Sequence, residues 1–156
     1  TAGTYYVQAV ATLSTGLVPV GVPAGTVTTG TVLAGAAAGA LSTAILVVNN
    51  IRDRESDRAA GQRTPAVMLG YRLSRVEFLA LFALAYAVPP AFWLALGYSP
   101  AVLLPLATLP FAGVVARTVL TRTNGAALNP ALERTGQLLA LYGVLFALGL
   151  AVPEVV

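Results

Sequence analysis

Cysteine, histidine and lysine are all missing from this chain. Without cysteine there is no disulfide framework, no thiolate nucleophile and no sulfur ligand for a metal. Without histidine the commonest general base is gone, and with it the usual nitrogen ligand of zinc. A metal here has to be held by oxygen, which favours magnesium, calcium or manganese. Without lysine all nine basic residues are arginine, the side chain suited to bidentate phosphate contacts. Charge is scarce too: 10% of the 156 residues, where a soluble domain carries about 25%. Hydrophobic residues make up 57%, so the chain reads as an all-α integral membrane protein. Membrane lipid is its expected surrounding, and no nucleic-acid partner is expected.

Four apolar stretches are long enough to cross a bilayer as helices: residues 31–51, 76–97, 100–117 and 135–152. The first, as a helix, covers roughly 30 Å, one hydrocarbon core. Pro89, Pro90, Pro105 and Pro110 fall inside two of the others. In a bundle they predict kinks whose freed carbonyls find new partners. Residues 12–30, rich in Gly, Pro, Thr and Val, read as a connecting loop, with room for a short strand-like piece. Tyr5-Tyr6-Val7-Gln8 reads as the end of a preceding span near residues 1–10, its tyrosines at the interface. The chain starts at Thr1, and its first residues lack the basic start and cleavage pattern of a signal peptide. It is therefore expected to begin partway through a longer protein.

All nine arginines lie in two loops: 52, 54, 58, 63, 72 and 75 in the first, 117, 122 and 134 in the second. One pair of spans separates the loops, so both belong on one face, and the positive-inside rule makes that face cytoplasmic. The expected location is the cell membrane. Thr64-Pro65 predicts a short helix to about Leu69 before Gly70, lying over the membrane face as a small lid. Ser74-Arg75-Val76-Glu77 fits a capping box, and Leu73 with Phe78 a hydrophobic staple. Asn129-Pro130 fits a cap for the last helix, where Glu133 and Arg134 are placed to pair. Gly35 and Gly39 form a GxxxG pattern that predicts close helix packing. Phe92, Trp93, Tyr86 and Tyr98 are expected to pack or to anchor the interface.

The chemistry concentrates in residues 49–64. Asn49, Asp53 and Asp57 recur every four residues and share one helix face, while Arg54 and Arg58 share another. A lone DxxxD pair is a weak signal and often marks only a solvated helix end. Asn49 and Asn50, however, sit in an apolar run, where an amide needs a partner. Magnesium prefers a few carboxylates, with water and phosphate oxygens completing its octahedron. Arg52, Arg58 and Arg63 stand where they can add charge-assisted hydrogen bonds to phosphate. At a membrane edge the set suits a diphosphate with an apolar tail. Loss of diphosphate from an allylic carbon, followed by capture by an aromatic ring, requires none of the nucleophiles this chain lacks.

At this motif the chain resembles the UbiA superfamily of intramembrane aromatic prenyltransferases, most of all its MenA branch, the 1,4-dihydroxy-2-naphthoate polyprenyltransferases. Asn49-Asn50-Ile51-Arg52-Asp53, Asp57, Gly61, Arg63-Thr64 and Leu69-Gly70 look like that branch's second aspartate-rich motif and its continuation. Thr4-Tyr5-Tyr6-Val7-Gln8, Leu128-Asn129-Pro130 and Leu132-Glu133-Arg134-Thr135 extend the likeness along the chain. The resemblance implies part of a bundle of nine membrane helices: the end of the fifth and all of the sixth to ninth. It implies magnesium on Asp53 and Asp57, with Asn49 as a ligand or supporting partner. Diphosphate would be held by Asn49, Asn50, Arg52 and Arg63. The implied reaction joins a polyprenyl chain from polyprenyl diphosphate to dihydroxynaphthoate, with decarboxylation, in menaquinone biosynthesis. Two positions depart from the pattern: Gln62, where lysine is common, and Pro65, where leucine is common. The first aspartate-rich motif has no counterpart in these residues, so this stretch alone is expected to be inactive.

Three other readings compete. A sister prenyltransferase acting on another aromatic or on haem differs only in the acceptor. A CDP-alcohol phosphotransferase requires an Asp-Gly-x-x-Ala-Arg stretch, which is missing. A non-catalytic helical scaffold predicts no metal-dependent diphosphate binding.

Overall fold

The computed structural model describes residues 27–152. In chain order these form α1 (Thr29–Ala59), α2 (Pro65–Leu96), a 3-10 helix (Pro100–Thr108), α3 (Leu109–Thr121) and α4 (Gly125–Ala151). No strand occurs among the described residues. The readings made for residues 1–26, including the tyrosines of the preceding span, lie outside them. Four helical segments are long and apolar enough to cross a membrane: α1, α2, the 3-10 helix joined to α3, and α4.

In α1 the Thr28 side chain accepts the Thr31 N–H at 3.1 Å and starts the helix. Ala37, Ala40, Leu41, Ala44, Val47, Val48 and Ile51 recur at three- and four-residue steps and are all buried. That stripe packs against α2 and α4. The helix runs eight residues past Ile51, about 12 Å, and so carries the charged motif beyond the apolar part. It ends in a Schellman turn. Gly61, at a φ of 72°, takes the left-handed position, and the Gln62 N–H returns to the Asp57 carbonyl at 2.8 Å.

Thr64 and Pro65 start α2 as the sequence suggests, although the Thr64 hydroxyl makes no capping bond. Gly70, at a φ of 74°, separates a first turn from a long helix, as expected of a short piece ending at Leu69. The capping box at Ser74 does not form. The long helix is already under way at Tyr71, so Ser74 is a buried interior position. Leu73 is exposed while Phe78 is fully buried.

Pro89 and Pro90 stay within α2. Pro89 cannot donate to the Ala85 carbonyl four residues back, and the Tyr142 hydroxyl of α4 donates to it instead, at 2.7 Å. The predicted exchange of partners is met here. Pro105 and Pro110 act differently. Together they remove two α-helical donors from the third span, and residues 100–108 adopt the tighter 3-10 winding before α3 begins at Leu109. Thr108 donates to the Pro105 carbonyl at 2.7 Å and also meets the Tyr86 hydroxyl.

The last helix begins at Gly125 rather than at Asn129-Pro130. Asn124 supplies the cap, its side-chain oxygen accepting the Ala126 N–H at 2.9 Å. Glu133 takes a hydrogen bond from Gln137 at 3.0 Å. Of the two glycines of the GxxxG pattern, Gly39 makes no close approach. A Cβ on Gly39 would meet no described atom within 4 Å, whereas one on Gly149 would collide with the Ala101 carbonyl.

Aromatic rings run through the bundle in contact. Phe78 lies 4.3 Å from Phe82, Tyr86 5.5 Å from Tyr142, Phe92 5.2 Å from Phe146 and 5.0 Å from Tyr98 (centroid distances). Such pairs add about 0.5–1.5 kcal/mol each beyond burial. Tyr86, Phe92 and Tyr98 therefore pack, as expected, and Trp93 is exposed. A groove of about 260 Å³ opens between α2 and α3, where Ala112, Gly113 and Ala116 face Phe82 and Tyr86. It lies within the apolar part, away from the charged motif.

Candidate functional site

The charged end of α1, the start of α2, the end of α3 and the start of α4 meet at one end of the bundle. Gly125 lets α4 approach α1 closely: a Cβ there would stand 2.8 Å from the Arg52 carbonyl. From α2, Arg75 donates to the Val119 carbonyl at 3.0 Å and to the Arg122 carbonyl at 2.8 Å. Those carbonyls close α3, where a cation also suits the helix dipole. Both arginine loops therefore lie on one end, as the alternation of spans requires.

Asn49, Asp53 and Asp57 are all half-buried and one helical turn apart on α1. Asp53 is held by its neighbour Arg52 in a two-pronged pair, both N–H···O distances being 2.7 Å. Hydrogen bonding to that guanidinium holds the Asp53 carboxyl below the usual carboxylate range. Asp57 takes part in no ion pair among the described residues. Its carbonyl anchors the Schellman turn, which reverses the chain toward Arg63. Arg58 and Arg63 are exposed, and Asn50 is half-buried beside Asn49. The sequence-predicted groups thus share one helix and its closing turn.

The adjoining face of the motif is tied to α2. Arg54 donates to the Ala66 carbonyl at 3.0 Å, pairs with Glu55 and lies 4.5 Å from the centre of the Tyr71 ring. Arg75 approaches the same ring at 5.5 Å. The Tyr71 hydroxyl donates to Glu55 and to the Thr123 carbonyl, both at 3.3 Å. Tyr71 and Gly125 were not legible as site residues. The one available signal was a tyrosine next to Leu69-Gly70 and flanked by arginines.

Two carboxylates and an amide on one face leave most of an octahedron to water and phosphate oxygens, a donor set that suits magnesium. No group of three or more acidic side chains gathers among the described residues, so no closed protein cage for a cation forms there.

Comparison with known proteins follows the same line. Residues 3–142 match the UbiA prenyltransferase family. The UbiA prenyltransferase domain-containing protein 1 of Homo sapiens is 38% identical over 107 residues, which cover 69% of this chain and 30% of that protein. The protein of the same name from Ailuropoda melanoleuca has the same identity and coverage. The 1,4-dihydroxy-2-naphthoate octaprenyltransferase of Haemophilus influenzae is 33% identical over 110 residues, 70% of this chain and 36% of the enzyme. The chain thus spans about a third of the length of these relatives. No solved structure matches it. A helical bundle of apolar spans, closed at one end by an arginine-flanked aspartate motif, and a family match over most of its length establish that this chain belongs to the UbiA prenyltransferase family.

Proposed function

We propose that these residues form the second diphosphate-binding part of a membrane prenyltransferase, one that transfers a polyprenyl group from polyprenyl diphosphate to 1,4-dihydroxy-2-naphthoate. The observation that carries the reading is the single face of Asn49, Asp53 and Asp57, with Arg52 beside it, at the polar end of a membrane-length helix. The naphthoate-acting relative supports the choice of acceptor. Asp53 and Asp57, with Asn49, would hold magnesium, which when bound neutralises charge on the departing diphosphate.

Within the site the chain's own residues bind and orient. Arg52 and Arg63 hold diphosphate oxygens through charge-assisted bonds, and Asn49 and Asn50 donate amide N–H groups to the same anion. Arg52 is fixed beside Asp53 by two hydrogen bonds, so its guanidinium is charged and positioned next to the proposed anion site. The apolar spans keep the prenyl tail in the bilayer while its head reaches the polar end. The facing loops are assigned to the cytoplasm and the protein to the cell membrane.

The test is prenyl transfer by the full-length membrane protein with magnesium, a labelled polyprenyl diphosphate and a panel of aromatic acceptors. Asp53→Asn and Asp57→Asn should each remove most turnover while leaving expression intact. Near-normal turnover by either variant at saturating magnesium would reject the ligand role. A sister acceptor is the second reading, favoured by the several relatives whose names specify only the domain. Turnover of another aromatic in preference to dihydroxynaphthoate would select it.

A further inference from the structure

Arg54 is the one arginine placed inside the aspartate motif, between Asp53 and Asp57, and it points away from both. Left free, a guanidinium three residues before a carboxylate on a helix is a same-face neighbour and pairs with it. Here its side chain is only 16% exposed and is held by the Ala66 carbonyl, Glu55 and the face of Tyr71. Tyr71 is in turn fixed by Arg75 on its ring and by the Thr123 carbonyl at its hydroxyl. Arg75 itself is anchored to the carbonyls that close α3. The ring sits at the junction of α1, α2 and the loop between α3 and α4.

We propose that Tyr71 is a positioning residue that holds Arg54 away from Asp57 and so keeps that carboxylate available to a divalent cation. The inference rests on the reading that Asp57 takes the cation. It assigns the work to the aromatic face, with the hydroxyl contributing the longer links to Glu55 and the Thr123 carbonyl, both at 3.3 Å. Losing the ring leaves Arg54 with only the Ala66 carbonyl and the exposed Glu55 to hold it, so it competes for Asp57 part of the time, and the competition appears as weaker metal binding. Removing Arg54 as well removes the competitor.

The experiment uses the purified full-length protein in detergent and manganese(II) alone, its free fraction read from the paramagnetic resonance signal. Tyr71→Ala should raise the manganese concentration for half-saturation about two- to fivefold, the range expected of a partly exposed ion pair competing for one carboxylate. Tyr71→Phe should bind like the unaltered protein. The double variant Tyr71→Ala with Arg54→Met should recover the original affinity, which a merely damaged fold would not do. An unchanged affinity in Tyr71→Ala, a loss in Tyr71→Phe as large as in Tyr71→Ala, or no recovery in the double variant would overturn the role of the ring. Asp57→Asn serves as the reference. If it weakens binding while Tyr71→Ala does not, the inference alone fails. If Asp57→Asn itself leaves affinity unchanged, the cation reading of Asp57 fails and the inference falls with it.

Discussion

Asp53 and Asp57 are the same residue type on one face of one helix, yet their surroundings separate them. Asp53 is paired to Arg52 through two hydrogen bonds, and Asp57 has no ion pair among the described residues. The pair lowers the Asp53 pKa, so its contribution to stability is full above the ordinary carboxylate value of about 4 and is lost as pH falls through the lowered folded value. Arg52→Gln removes the cause. The unfolding midpoint of the unaltered protein in detergent should exceed that of Arg52→Gln at neutral pH, and the difference should shrink below about pH 4. A difference that grows on acidification would contradict the pairing. Both partners are partly exposed, so the effect should be small.

At the scale of elements, the proline break in α2 is repaired by a hydroxyl group from another helix. Tyr142 donates to the Ala85 carbonyl that Pro89 leaves vacant, whereas the prolines of the third span are met by a change to 3-10 winding. Tyr142→Phe should therefore cost about 0.6–1.7 kcal/mol, the range for a hydrogen bond inside a membrane protein. Pro89→Ala should largely cancel that loss, because the restored N–H donates to the Ala85 carbonyl within the helix. Unfolding in mixed micelles of the two single variants and the double variant measures the coupling. Strict additivity would show that the hydroxyl stabilises through something other than the vacated carbonyl.

For the whole molecule, the alternating elements bring all nine arginines toward one end, while the turn from α2 into the 3-10 helix has none. The chain has no cysteine, so single substitutions report sidedness against a clean background. Gln62→Cys and Pro100→Cys, both exposed positions, should react with an impermeant thiol reagent from opposite faces of sealed vesicles. On the sidedness proposed above, Gln62 should react from the cytoplasmic side. Reaction of both from the same side would overturn the crossing pattern.

The amino-acid sequence by itself determined the membrane class, the number and order of the apolar spans in residues 31–152, the aspartate face and the short helix ended by Gly70. These depend on hydrophobic length, helical periodicity and glycine, all of which act locally. Other features were decided only in three dimensions. Ser74 carried the pattern of a cap but became interior because α2 was already helical before it. Gly39 suggested a tight contact and makes none, whereas close approach occurs at Gly125 and Gly149, whose partners are 73 and about 48 residues away in sequence, respectively at Arg52 and Ala101. No local pattern reports which backbone will lie opposite a glycine. Tyr71 is the sharpest case. Its ring matters only because α1, α2 and the loop before α4 converge on it, and that convergence follows from how the helices pack.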